Sequence, residues 1–285
     1  MSAKISQAII TAAGPNQRRL PLQVLTGHDG VTQPAIVLML QEMLSSGIER
    51  VAIIVSPADH ASYAQLLAPF GSALTLIEQP EPRGYGHAVW CGRDFAGGAP
   101  FLLQVSDHLY VSGRAESCTR QLIDAAAAEP TICSVSAVQA THESQLPFYG
   151  TVAGTSVAGR KGVYQIEHVI EKPTPTLAEQ TCVVPGLRSG HYLCFFGMHV
   201  LTPTVFTLLA EEAERSPQRV QLSPALARLA QREKYLAVEL DGRRADLEAP
   251  FGLLRAQLAL GLTGPARQEV LSLIAEELAT DATRR

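Results

Sequence analysis

The residues able to do chemistry gather in five short stretches where apolar runs end in glycines, carboxylates or cations. In the first, Ala8-Ile9-Ile10 leads into Thr11-Ala12-Ala13-Gly14-Pro15-Asn16-Gln17-Arg18-Arg19-Leu20-Pro21. A buried strand closed by small residues and glycine can turn backbone N–H groups towards an anion, with Arg18 and Arg19 as charge-assisted donors; an ordinary strand-to-loop turn reads the same. The second stretch, Glu78-Gln79-Pro80-Glu81-Pro82-Arg83-Gly84-Tyr85-Gly86-His87-Ala88, sets two glycines at a helix start. Gln79 offers both a donor and an acceptor, which reading a nucleobase edge requires, and a glycine-rich solvent loop is the plain alternative. In the third, the apolar strand Phe101-Leu102-Leu103-Gln104-Val105 delivers Ser106-Asp107-His108. An Asp beyond the carboxyl end of such a strand can hold Mg²⁺ against phosphates or simply cap the next turn.

The fourth stretch, Val169-Ile170-Glu171-Lys172-Pro173, carries an acid and an ammonium side by side on a strand. Neighbouring strand residues face opposite ways, so each is expected to need its own partner, a sugar hydroxyl for Glu171 and a phosphate for Lys172, unless both are solvated edge charges. The fifth, Arg243-Arg244-Ala245-Asp246-Leu247-Glu248-Ala249-Pro250-Phe251-Gly252, reads as a charged loop in which Asp246 is available as a second metal carboxylate.

These stretches need a scaffold, and the apolar periodicity describes one. After the first loop the pattern predicts a helix over residues 34–46, a strand over 51–55, a helix over 58–68, a strand over 74–77, a helix from about Gly86 and a strand over 100–105. Continuous apolar strands alternating with amphipathic helices imply a parallel sheet covered on both faces. From about residue 134 to 194 the pattern changes to shorter strands with turn signals, including 147–150, 163–170 and 191–196, and predicts a mixed or antiparallel extension. The tail from Leu222 reads as helical, interrupted by a strand over 235–240 and a loop over 241–250. The expected fold is therefore α/β, a Rossmann-like doubly wound mixed sheet with a small β extension and C-terminal helices. Residues 1–285 form one expected domain, including a helical segment from about residue 253.

Composition excludes several classes. With 285 residues, of which 46% are apolar, the chain can bury a substantial core. A net charge of −4 leaves no broad basic surface for nucleic acid. Five scattered cysteines, Cys91, Cys118, Cys133, Cys182 and Cys194, suit buried thiols better than disulfides or a zinc site, so a reducing cytoplasm is expected. The N-terminus lacks a signal-like apolar region and no run approaches a membrane span.

Taken in order, these motifs resemble the sugar-1-phosphate nucleotidyltransferases, most closely the bacterial UTP–glucose-1-phosphate uridylyltransferases. The match covers nearly the whole chain: the Ala12-Ala13-Gly14 loop with Arg18 and Pro21, Gln79 with Gly84-Tyr85-Gly86-His87-Ala88, Asp107, Tyr149-Gly150, Glu171-Lys172-Pro173, Gln221-Leu222-Ser223 and Asp246. The resemblance implies the nucleotidyltransferase fold and Mg²⁺-dependent transfer of a nucleotidyl group, uridylyl above others, to a sugar 1-phosphate, glucose 1-phosphate above others, with release of pyrophosphate. It assigns Ala12, Ala13 and Gly14 to the triphosphate, Arg18 to the leaving pyrophosphate, and Gln79 with Gly84 to the base. Asp107 and Asp246 would hold Mg²⁺, Gly150 and Glu171 the sugar, and Lys172 its phosphate. UTP and a sugar 1-phosphate are the implied partners. C-terminal helices of such enzymes assemble subunits, and the amphipathic segments 256–262 and 268–278 suggest a homo-oligomer.

The chain departs from the family's pattern at three places. Asn16 and Gln17 stand where the signature loop has a second glycine and a threonine, and Leu247-Glu248 follow Asp246 where the family has Asp-x-Gly. Residues 22–33 contain no lysine where the family places a phosphate-binding one, leaving His28 as the sole cation there. Two readings therefore stand: a working transferase, or a weakly active or non-catalytic paralogue that binds nucleotide or nucleotide sugar and acts through a partner.

Overall fold

The computed structural model describes residues 4–15 and 18–282. Its N-terminal half runs β1 (Gln7–Thr11), β2 (Val24–Thr26), β3 (Thr32–Pro34), α1 (Ala35–Ser45), β4 (Arg50–Val55), α2 (His60–Leu67), β5 (Leu74–Glu78), α3 (Tyr85–Cys91), α4 (Arg93–Ala96), β6 (Phe101–Val105), β7 (His108–Ser112) and α5 (Cys118–Ala127). It continues with β8 (Ser134–His142), β9 (Gly150–Ser156), β10 (Val163–Glu171), α6 (Pro175–Thr181), β11 (His191–Leu201), α7 (Thr204–Arg215), α8 (Leu222–Arg232), β12 (Tyr235–Glu239), β13 (Gly242–Asp246), α9 (Gly252–Thr263) and α10 (Arg267–Ala282).

Nine strands form one sheet in the order β5-β4-β1-β6-β11-β8-β12-β10-β9. The β5, β4, β1 and β6 strands are mutually parallel, and beyond β6 the sheet turns mixed, with β11 antiparallel to both β6 and β8 and β12 parallel to β8. The parallel strands are apolar on both faces because both are covered. Along β1, Ala8 and Ile10 face one hydrophobic layer while Ile9 faces the other. In β4, Val51, Ile53 and Val55 face the first layer and Ala52 and Ile54 the second. This is the expected α/β fold with its parallel half where the periodicity placed it.

Two expectations are corrected. The strands after residue 134 are not short: β8 and β10 have nine residues and β11 has eleven. They complete the main sheet rather than extending it, and the turn signals that suggested brevity mark real breaks, such as the 3-10 turn Glu143–Phe148 ahead of β9. The second correction concerns residues 241–250, which are not simply a loop. β13 pairs antiparallel with β7, setting Asp246 opposite His108. Its polar, arginine-rich sequence hides the strand because only Ala245 is buried along it. Two small two-stranded sheets, β7–β13 and β2–β3, stand apart from the main sheet, away from the 134–194 region where the extension was expected.

Cys118, Cys133, Cys182 and Cys194 are buried free thiols and Cys91 is half-buried. Burial pushes the Cys118 thiol up to about 12, which suits inert packing rather than reactivity. Among the described residues, no helix is long and apolar enough to cross a membrane.

Candidate active site

A cleft of about 430 Å³ opens where β1 and β6 end, the place where an open α/β sheet exposes loops rather than ladder. Its wall brings together Ala13, Gly14, Gln79, Gly84, Asp107, Gly150, Glu171 and Lys172, residues from five separate segments. Thr11, Tyr85, His108, Tyr149, Phe195, Arg219 and Ser223 share it.

At one side the chain leaving β1 turns back on itself, with the Arg18 N–H donating to the Gly14 carbonyl at 2.9 Å. Asn16 and Gln17, where the sequence departs from the family loop, lie outside the described residues. Ala12 is buried, and its N–H is already bonded to the Ile54 carbonyl at 2.8 Å, so the donor cannot turn to an anion. Arg18 is not on the cleft wall. Its Nη1 lies 3.2 Å from Asp59 Oδ2 and 3.4 Å from Ser56 Oγ, at the neighbouring end of β4. His28 is also elsewhere: its backbone packs against Gly264, just past α9, where an added Cβ would meet the His28 carbonyl at 2.0 Å.

The Gln79–Gly84 segment is built by close backbone approach. Gly84 has φ +103°, and a Cβ there would stand 2.6 Å from the Val220 carbonyl oxygen, so only glycine fits. Gln79 is buried, and its Nε2 donates to the Gly84 carbonyl at 3.2 Å.

Across the cleft, β10 ends at Glu171, whose carboxylate accepts the Ser223 hydroxyl. The expectation that Glu171 and Lys172 face opposite ways fails because Lys172 leaves the strand with φ +47°, turning both side chains into one cleft. A left-handed lysine is uncommon, and such outliers gather at functional positions. Gly150 pairs with Glu171 across β9 and β10, and a Cβ there would lie 2.9 Å from the Phe195 ring. Packing against that ring therefore requires glycine here, and Gly150 lines the cleft.

The carboxylates proposed for metal are joined through a histidine. His108 Nδ1 lies 2.7 Å from Asp107 Oδ1, while His108 Nε2 lies 3.9 Å from Asp246 Oδ2. Burial pushes the Asp107 carboxyl up, but its hydrogen-bonded His108 neighbour, helped by Lys172, outweighs this and holds it below the usual carboxylate range. Asp246 Oδ2 accepts the Tyr149 hydroxyl at 3.1 Å, and Oδ1 accepts the Glu248 and Ala249 N–H groups. Asp246 thus stands behind Tyr149, in the wall of a neighbouring cavity rather than of the cleft itself. Among the described residues, no three His, Cys, Asp or Glu side chains are grouped to hold a metal. Mg²⁺ does not require such a cage, since one or two carboxylates with substrate phosphates and water suffice. Asp107 offers one such carboxylate on the cleft wall, whereas Asp246 faces it across the His108 ring and must swing past that ring to reach the same ion.

Arg219 was not visible from the sequence, where it sits in a polar run before Gln221. With the Gln221 amide turned to present its oxygen, Arg219 donates to it through Nε and Nη2 at 2.6 and 3.2 Å, holding a second cation on the wall that also carries Lys172. His108 and Tyr149 carried no assigned role either. The β7–β13 register sets His108 between the two aspartates, and Tyr149 hydrogen-bonds Asp246.

A cleft of this form, on a nine-stranded mixed sheet, defines a class. The nucleotidyl transferase family model matches residues 18–257, and the chain belongs to that family. The UTP--glucose-1-phosphate uridylyltransferase of Bacillus subtilis (strain 168) is 29% identical over 286 residues, covering 91% of this chain and 92% of the relative. The Streptococcus pneumoniae serotype 4 protein of that name is 26% identical over the full length of both. Among solved structures, a UDP-glucose pyrophosphorylase complexed with UDP-glucose superposes with a TM-score of 0.72 at 23% identity, covering 90% of this chain and 98% of the other. A UTP-bound UGPase from Acinetobacter baumannii gives 0.72 at 23% identity, covering 95% and 99%. These structures establish the fold.

Proposed function

We propose that the chain transfers the uridylyl group of UTP to glucose 1-phosphate, forming UDP-glucose and pyrophosphate. The observation that carries this reading is the convergence of Gly14, Gln79, Gly84, Asp107, Gly150, Glu171 and Lys172 on one cleft. Relatives spanning nearly the whole chain and bearing that activity in their names support it, and they weigh against the non-catalytic alternative.

In this reading Ala13 and Gly14 border the triphosphate, and Gln79 with Gly84 reads the base. Gly150 and Glu171 hold the sugar, with Ser223 fixing the Glu171 carboxylate, and Lys172 holds the sugar phosphate. A phosphate oxygen of the sugar attacks the α-phosphorus in line, the bond from the α-phosphorus to its bridging oxygen breaks, and pyrophosphate leaves with that oxygen. No protein nucleophile is needed, so positioning and charge neutralisation supply the catalysis. Arg18 serves the leaving pyrophosphate once it exchanges Asp59 for phosphate and turns from the end of β4 towards the cleft. Asp107, joined by Asp246 once that carboxylate comes round His108, would hold Mg²⁺, which would supply charge to offset the triphosphate. Exposed Leu254, Leu273 and Leu278 on α9 and α10 support a homo-oligomer built through these helices. The fold forms one domain over residues 1–285 in this reading.

The test is a panel of nucleoside triphosphates and sugar 1-phosphates with Mg²⁺, read by pyrophosphate release. UTP with glucose 1-phosphate should give the highest kcat/KM. No pyrophosphate from any pair would overturn the reading.

A further inference from the structure

The Gln79 amide is held at two points, and they leave only one atom for a ligand. Its Nε2 lies 3.2 Å from the Gly84 carbonyl, which can only accept, and 2.9 Å from His87 Nδ1. Both amide hydrogens are therefore committed, and the amide cannot be reversed without setting its oxygen against a carbonyl. Oε1 has no partner among the described residues, and Gln79 lines the cleft. For His87 to receive the amide, its Nδ1 must carry a lone pair and its proton must sit on Nε2. Burial, and then the nearby Arg83, hold the His87 pKa below its ordinary value and keep the ring neutral. His87 is itself buried, behind Gln79 and stacked on Trp90.

We propose that His87 is a positioning residue that locks the sense of the Gln79 amide, so that the cleft presents a lone acceptor and selects a pyrimidine whose ring edge offers an N–H. Uracil carries N3–H at that edge, whereas cytosine carries an N3 lone pair. Oε1 accepts from the first and faces a second acceptor in the other. Thymine shares N3–H with uracil and passes this filter. The inference rests on the uridylyl-transfer reading and names the atom on which its base choice depends. An acceptor left facing an acceptor costs enough to give uridine about a 10- to 100-fold advantage over cytidine.

The test compares UTP with CTP in wild type, His87→Phe and His87→Asn, by equilibrium binding of each triphosphate without sugar phosphate and by pyrophosphate release. His87→Phe keeps a ring of similar shape but removes the acceptor, freeing the amide to reverse. The UTP-to-CTP ratio should fall about tenfold, since cytosine gains a donor to face. His87→Asn places Oδ1 near the lost Nδ1 and should restore most of the wild-type ratio, which lost packing alone would not do. Should His87→Phe not fold, His87→Ala removes the same acceptor and carries the same expectation. An unchanged ratio in the variant lacking the acceptor, or a wild type that binds UTP and CTP equally, overturns the inference. A wild type that binds UTP selectively yet releases no pyrophosphate overturns the proposed activity and leaves the amide lock standing.

Discussion

Replacing Lys172 by glycine and, separately, by alanine divides the cost of its backbone from the value of its ammonium. Lys172 adopts φ +47° at the end of β10. An L-residue in the left-handed region costs about 1–2 kcal/mol, which glycine escapes. Glycine in turn loses about 0.5–1 kcal/mol more conformational freedom on folding. Both variants lose the ammonium alike, so Lys172→Gly should be the more stable by about 0.5–1 kcal/mol, which is a midpoint difference of roughly 0.3 M in urea at a slope of about 2–3 kcal/mol/M. Turnover should fall together in the two, by about 10² to 10³, because one phosphate cation is gone from each. The assays are paired urea unfolding curves and pyrophosphate release. An alanine variant as stable as the glycine variant would refute the argument that the strand end is strained to aim this lysine.

Four further outcomes follow from the site and core. His199 is fully buried against Ser136, with its pKa pulled down by burial to about 3. An unfolded histidine binds a proton below pH 6.5 and the native one does not, so stability is lost as pH falls through that range, by about 2 kcal/mol at pH 5; His199→Asn should lack this component in urea melts at pH 7 and pH 5, and an equal loss in both proteins would contradict it. Asp246→Asn keeps the Oδ1 acceptor for Glu248 and Ala249 but removes a charge, so it should raise the Mg²⁺ concentration needed for half-maximal turnover with little change in melting temperature. Arg18→Ala should cut turnover by about 10² or more, while Asp59→Asn, which releases the Arg18 guanidinium, should preserve it; loss of turnover in Asp59→Asn alone would make the pair a structural strut. His28→Lys should leave kcat unchanged, because the position packs beside Gly264 and away from the cleft, and a raised kcat would show that it reaches the phosphates.

The parallel half of the sheet was legible because β1, β4 and β6 must be apolar on both faces, and few other arrangements hide so continuous a run. Asp107 and Glu171 were legible for a related reason, each being a carboxylate delivered by the end of a strand. Position along the chain says less about direction. Strand alternation set Lys172 opposite Glu171, and a single left-handed residue undid that. The pairing of β13 with β7 left no local trace, since a strand lying outside the main sheet buries little and need not look apolar. His108 gains its place beside Asp246 only through this long-range register, and Tyr149 reaches the same carboxylate from just ahead of β9. Arg219 was hidden similarly, because its neighbours in the cleft are distant in sequence.

The position of β12 also orders the birth of the site. This strand, near the C-terminal end, enters the sheet between β8 and β10, both made long before it, and β13 follows directly to bring Asp246 against β7. A growing chain can close β1, β4, β5 and β6 through short-range crossovers as they emerge. The strand bearing Glu171 and Lys172 gains its inner neighbour only when residues 235–239 arrive. Contacts of such wide sequence separation close late and slowly. The strands behind Gly14 and Gln79 therefore have a scaffold during synthesis, while the wall carrying Glu171, Lys172 and Asp246 waits for the last fifth of the polypeptide.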